Sequence, residues 1–397
     1  VWHASTLSRL GRTCPLLFSL TLATCGRDDG LTVVSLEHPA PPAARHPHLS
    51  VGARGAVSLS WLEPRPARGY ALKVAVADTG TWSRGRTVAL LEDTGATDGG
   101  AAVRAGPCGM YLAHWNDGPA PDDAPLRTAI SIDGAWTWTL SSVLVDGPAA
   151  ASGAALSTYD SFDGVGLVWI RREGDRGTLH DAVLAGDGAT LHPAVLDSAV
   201  CHCCGVAAVR AGRGAVVAYH RHREGDLAAG QALVLRRAVG RAWSDPVVVD
   251  SNAALPACAG AATALARHGD TVAVVWRRAS GELLIAWSFD GGVHVAAPAA
   301  VADGAIGDAP VVAVTARGAV VGWTGREGLQ ARRVRPDGSL GSVVRVAARP
   351  AGSPVPSWIP LDDGLLVAWE AESGTGGALA LQYVGDRARR TGAGGPM

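Results

Sequence analysis

The sequence predicts an all-β chain assembled from repeated four-stranded antiparallel units, and three observations carry that expectation. Seven short runs of small and β-branched residues each end in an aromatic and recur at near-even spacing, about fifty residues apart. Gly 51 and Pro 23 are spread along the whole chain, which suits a turn every several residues. Almost no segment places its apolar residues at helical spacing.

The seven runs are Val57 to Trp61, Met110 to Trp115, Val165 to Trp169, Ala215 to Tyr219, Val272 to Trp276, Ala319 to Trp323 and Leu365 to Trp369. Turns such as Ala53-Arg54-Gly55, His268-Gly269-Asp270 and Asp362-Asp363-Gly364 precede them, with another short apolar run before each turn, so each run is the second strand of a hairpin. Third strands follow at Tyr70 to Ala77, Leu126 to Ser131, Ala232 to Arg236, Leu283 to Ser288 and Ala378 to Val384. Fourth strands close units at Val143 to Val145, Val247 to Val249 and Val343 to Val346. A lone sheet of this size leaves both faces exposed, so like units stack face to face around an axis as a β-propeller. The last unit lacks a fourth strand after Val384, and Leu31 to Leu36 is a strand left over at the start. Joining the two closes a ring of seven blades, or of six if one weak unit is an insertion.

Composition agrees. The chain of 397 residues is 48% hydrophobic and 18% charged, enough apolar surface for a large core. Trp 13 against Phe 3, with many tryptophans at equivalent places in the repeat, makes them packing residues first. A net charge of -1 with interspersed signs excludes a nucleic-acid partner, and a monomer is expected.

At the N-terminus, Arg9 and Arg12 precede the apolar stretch Pro15 to Ala23, which is too short to span a bilayer and reads as a signal-peptide core. Leu22-Ala23-Thr24-Cys25 resembles the bacterial lipobox, with Thr24 as a departure, and Cys25 as the lipidated residue. The alternative is ordinary cleavage with Cys25 unmodified. Either way the expectation is an exported bacterial protein, periplasmic or at the cell surface. The chain divides into a signal segment at 1–25, a propeller at 26–385 and a disordered tail at 386–397.

Ser131-Ile132-Asp133-Gly134-Ala135-Trp136-Thr137-Trp138 resembles the Asp box of the bacterial sialidase and neuraminidase superfamily, with Gly134 one place early. Ser288-Phe289-Asp290-Gly291-Gly292 has the first half of the box, with looser versions at Asp78 to Trp82, Asp187-Gly188 and Asp337-Gly338. The role that the resemblance gives Ser131, Asp133, Gly134 and Trp138, and Ser288, Asp290 and Gly292, is structural: the carboxylate caps turn amides, glycine takes positive φ and Trp packs between strands. Catalytic members of that superfamily use three arginines, a Tyr–Glu pair and an Asp, with an Arg-Ile-Pro motif near the first blade. Here that region reads Arg45-His46-Pro47-His48, which does not match. Tyr111 and Tyr219 read as strand residues, and Tyr383 has no assigned Glu. The catalytic residues stay unassigned, because fold does not carry function.

The connector Cys201-His202-Cys203-Cys204 is the least expected feature, and Cys258 repeats a thiol at nearly the same place one unit later. Strand order gathers these residues, with His220 and His222 of the following loop region, at the channel mouth on the face opposite the Asp boxes. Two main readings stand open, with a third beside them. One is disulfide bonding, with Cys204–Cys258 the natural pair. The other is a copper or zinc site of thiolates and imidazoles; a redox thiol is a third. His46 and His48 could reach the mouth, Asp98, Asp160 and Asp308 stand at comparable places, and Cys108 is a lone turn residue on the other face. The leading expectation is a ligand-binding propeller whose small ligand, glycan or metal ion sits at this mouth. A sialidase-like glycan-processing hydrolase and a protein-binding surface scaffold are the alternatives.

Overall fold

The computed structural model describes residues 30–386 except 53–54, 67, 79, 93–100, 117–125, 141, 146–155, 162, 174–175, 188, 203, 213, 223–229, 240–241, 254–262, 306–309, 349–354 and 372–377. The expected signal segment with Cys25, and the expected tail after Asp386, lie outside the described residues. Among the described residues the fold is all-β, with a 3-10 turn at Pro107–Gly109. No helix there is long and apolar enough to cross a membrane.

The strand β1 (Leu31–Leu36) is followed by a sheet of β2 (Arg45–Val51), β3 (Val57–Pro64), β4 (Tyr70–Asp78), β5 (Thr81–Trp82) and β6 (Arg86–Leu91). The next sheet has β7 (Ala102–Ala105), β8 (Tyr111–Asn116), β9 (Leu126–Ser131) and β10 (Ser142–Val145). Then come β11 (Leu156–Asp160), β12 (Val165–Glu173), β13 (Arg176–Leu184) and β14 (Thr190–Val200). They are followed by β15 (Val206–Ala211), β16 (Gly214–His222), β17 (Gln231–Val239), β18 (Ala242–Trp243) and β19 (Val247–Asp250). The single pair Val200↔Arg221 fuses these last two groups into one sheet of nine strands. Two four-stranded sheets follow: β20 (Thr263–His268), β21 (Thr271–Arg277), β22 (Leu283–Ser288) and β23 (Ala299–Ala302), then β24 (Val311–Thr315), β25 (Gly318–Gly325), β26 (Gly328–Val334) and β27 (Val344–Ala347). Finally β28 (Ser357–Leu361), β29 (Gly364–Ala371) and β30 (Ala378–Asp386) form a sheet whose fourth strand is β1, paired antiparallel to β30 from Leu31↔Asp386 to Leu36↔Leu381.

Each sheet is covered on both faces, so second strands such as Thr-Val-Ala-Val-Val-Trp-Arg of β21 are apolar almost without alternation and buried throughout beyond Thr271. The core lies between sheets. Leu59 and Trp61 of β3 pack with Leu366, Leu379 and Tyr383, and Val275 and Ile285 pack with Val321 and Trp323. First strands touch first strands of neighbouring sheets: β28 with β2, β2 with β7, β11 with β15, β15 with β20, β20 with β24 and β24 with β28. Leu112, Leu126 and Ile130 join Leu156, Val165 and Leu167 across the remaining boundary. This is the packing of a β-propeller, in which one face of the molecule carries the connectors into first strands and the loops after second strands. The opposite face carries the hairpin turns before second strands and the turns after third strands.

Candidate functional site

The cysteine connector is built at the seam between β14 and β16. Val200 pairs with Arg221 and the Cys201 amide donates to the His220 carbonyl at 3.0 Å, so the chain leaves β14 already fastened beside β16. Cys201 and Cys204 then form a disulfide, their Cα atoms 5.5 Å apart across a sequence separation of 3. Both cysteines are buried. Gly177 makes room for this loop, since a Cβ there would stand 2.9 Å from the His202 Cα. The expected Cys204–Cys258 pair is therefore corrected. Cys204 is taken by Cys201, because a tight turn brings these two Cα atoms within disulfide range. Cys203 and Cys258 lie outside the described residues.

His220 and His222 stand two residues apart on β16 and so share one side of the strand. His220 is 0% exposed, and neither of its ring nitrogens has a hydrogen-bond partner among the described residues. The same holds for both ring nitrogens of half-buried His222. Burial, partly offset by Asp250, lowers the His220 pKa to about 4. Burial and then the charges of His202 and Arg176 lower that of His222. Both imidazoles are thus held neutral with lone pairs unused, the state in which imidazole ligates a metal. On the other side of β16, the Tyr219 hydroxyl donates to Asp197 Oδ2 at 2.8 Å and Arg221 Nε lies 3.0 Å from the same oxygen. Asp250 at the end of β19 accepts Trp276 Nε1 and Arg278 Nε, each at 2.9 Å. Burial raises its pKa, but these bonds and the Asn252 amide outweigh it, so the carboxyl stays below its usual range.

With Cys201 and Cys204 joined, no thiolate remains on either. Among the described residues no group of 3 or more His, Cys, Asp or Glu is arranged to hold a metal. The sequence candidates left in place are His202, His220 and His222, together with Cys203 and Cys258, which are not described.

A second polar cluster was not foreseen beyond His48. Arg104 of β7 donates from Nε to His114 Nε2 of β8 at 3.2 Å, with His48 of β2 beside them. Burial and then the Arg104 charge lower the His48 pKa to about 3, burial lowers that of Arg104 to about 10, and the same two influences hold His114 well below its usual value. The only signal in the sequence was a polar residue interrupting short apolar runs, Val103-Arg104-Ala105 and Ala113-His114-Trp115. The His46 amide donates to Glu370 at 2.7 Å where the chain turns into β2.

The remaining candidates separate. Asp160 is the last residue of β11, at the far end from the cysteine connector, where burial raises its pKa against the pull of Arg210. Asp98 and Asp308 lie outside the described residues. Cys108 is free and exposed in the β7–β8 turn. The Tyr383 hydroxyl donates to the Asp363 carbonyl at 3.2 Å.

On the opposite face, two turns share one hydrogen-bond pattern. Ser131 Oγ donates to Asp133 at 2.8 Å, and Asp133 accepts the Trp136 and Thr137 amides and the Thr137 hydroxyl. Ser288 Oγ donates to Asp290 at 2.8 Å, which accepts the Val293 and His294 amides and meets His294 Nδ1 at 2.6 Å. Gly134, Gly291 and Gly292 have φ of 76, 71 and 93°, and Trp138 packs against the core of the β2–β6 and β7–β10 sheets. The bonds to Thr137 and to His294 hold both carboxyls far below the usual range, which fits turn capping and not proton transfer.

The fold defines the class, a β-propeller of antiparallel four-stranded sheets. No family model matches the chain, and no curated protein matches it. Solved structures of similar shape include a protein of unknown function from Dyadobacter fermentans, 14% identical with a TM-score of 0.49, covering 90% of this chain and 100% of that one. Another is the Aleuria aurantia lectin in complex with Fucα1-6GlcNAc, 15% identical with a TM-score of 0.47, covering 79% and 100%. A third is Trypanosoma rangeli sialidase in complex with 2,3-difluoro-KDN, 11% identical with a TM-score of 0.42, covering 89% of this chain and 58% of that one. The likeness is one of shape, so the functional reading rests on this chain's own residues.

Proposed function

We propose that this chain is an exported, lipid-anchored propeller of seven blades, closed by β1, that binds a soft or borderline metal ion at the connector face. The β1–β30 pairing and the run of first-strand contacts support the closed ring. One observation carries the site: four buried ring nitrogens, on His220 and His222, have no partner among the described residues beside a connector rich in sulfur and imidazole. Buried polar atoms are nearly always paired, so such a group points to a bound species. Neutral imidazoles suit copper or zinc, with His202, Cys203 and Cys258 as further ligands beside the disulfide.

Elemental analysis of protein secreted into an oxidising compartment, followed by titration with zinc and with copper, tests this reading. The expected result is about one ion per chain, with His222→Ala weakening binding tenfold or more. Protein that carries no metal and takes up neither ion refutes it. The second reading, a glycan-binding or glycan-processing propeller, draws support from the two hydrogen-bonded Ser–Asp turns, whose sequences resemble the Asp box of sialidases. Turnover of a sialoside substrate would promote that reading over the first.

A further inference from the structure

On the face of the Ser131 and Ser288 turns, an open cleft of about 810 Å³ lies between the β20–β23 and β24–β27 sheets. That volume falls within the range of small-molecule sites. Its floor is aromatic: the Trp287 and Phe289 rings stack with centroids 6.3 Å apart and planes 4° apart. Trp287 is buried, whereas Phe289 is 57% exposed. Phe289 is also held in place, because it sits between Ser288 and Asp290 of the hydrogen-bonded turn. Ile132 stands at the equivalent position of the other turn, so the turn itself does not require a ring there.

The cleft walls carry two arginines and a histidine, Arg317, Arg335 and His268, and among the described residues no Asp or Glu lines it. Arg317 is presented by the β24–β25 turn, in which its amide donates to Thr315 Oγ1 at 3.1 Å. Asp270 and Asp290 adjoin the lining residues Thr271 and Phe289, and two further carboxylates stand near the arginines. Asp386 lies 3.5 Å from Arg317 but is also engaged by buried Arg333, and Asp337 follows Arg335 on the turn after β26 and accepts the Ser339 amide. Asp386 thus holds Arg317, and Arg335 Nη1 donates to Ser339 Oγ at 3.2 Å, so both guanidinium groups are held at the cleft wall. The 11 residues after Asp386 include Arg387, Arg389 and Arg390, a like charge that disfavours the chain's own terminus as occupant.

We propose that this cleft binds a small organic anion bearing an apolar ring, with the ring on Phe289 and the anionic group between Arg317 and Arg335. A ring laid on Phe289 removes apolar surface from water, and a planar guanidinium pairs with a carboxylate through charge-assisted hydrogen bonds. The site is separate from the metal reading, lying on the other face of the propeller.

Calorimetric titration of the full chain with naphthalene-2-carboxylate, and with the neutral naphthalene-2-carboxamide, tests the assignment. The carboxylate should bind one per chain, the carboxamide about tenfold or more weaker, and salt at about 0.5 M should weaken the carboxylate alone. Phe289→Ala and Arg335→Gln should each weaken carboxylate binding about tenfold, with the thermal midpoint of the protein unchanged, since both side chains lie at the cleft surface. Equal affinity for the two probes, no binding of either, or binding untouched by both substitutions would overturn the proposal.

Discussion

At the scale of single residues, the clearest consequence concerns protonation. His48 and His114 flank Arg104, and both have folded pKa values below the ordinary 6.5, that of His48 at about 3. The unfolded chain therefore binds more protons than the folded one as pH falls. Their contribution to stability is complete above about pH 6.5 and is lost as the pH drops toward 3. Between about pH 7 and pH 5 the pair should cost roughly 2 kcal/mol, allowing for the partial exposure of His48. Urea unfolding at the two pH values measures this. The double substitution His48→Gln and His114→Gln should reduce the difference, because Gln accepts the Arg104 hydrogen bond and does not titrate, and His220 and His222 account for what remains. A variant with the wild-type pH slope would place the titration elsewhere.

At the scale of elements, β1 is the strand with the most to lose. Its six residues pair with β30, and Leu31 joins Val311, Val320, Val367 and Val384 in one apolar cluster. A chain starting at Glu37 leaves β30 as an apolar, unpaired edge. Its unfolding free energy should fall by on the order of 3 kcal/mol or more, and light scattering should reveal association. A truncated chain that kept the full-length urea midpoint and stayed monomeric would deny β1 that role. The pairing was visible beforehand as a surplus strand at one end and a missing one at the other. The seven aromatic-ended runs likewise fall within β3, β8, β12, β16, β21, β25 and β29, except that Met110 stands one residue before β8, because a strand covered on both faces must be apolar at nearly every position. The site was less legible. Which thiol meets Cys204 depends on how tightly the chain turns after β14, and the His48–Arg104–His114 cluster depends on the register of β7 against β8 and the approach of β2. Neither is a local property of sequence.

At the scale of the whole molecule, stability comes from faces shared between sheets, so no sheet owns its core. Trp323 and Val321 complete the cluster begun by Val275 and Ile285, and Leu366 and Tyr383 complete that of Leu59 and Trp61. In the closed ring proposed above, the position of the chain ends is a matter of covalent convenience. Leu31 and Asp386 are register partners at the same end of adjacent antiparallel strands, so a short Gly-rich linker between them converts β30 and β1 into a hairpin. New ends can then be opened between Gly260 and Ala261, in the connector from β19 to β20. Such a circular permutant retains every sheet and every shared face. It should therefore be soluble, give the far-ultraviolet spectrum of the parent and unfold in one transition within about 2 kcal/mol of it. Two separate transitions, or an insoluble product, would mean that the sheets do not form a continuous ring and that the present termini are needed to hold them in order.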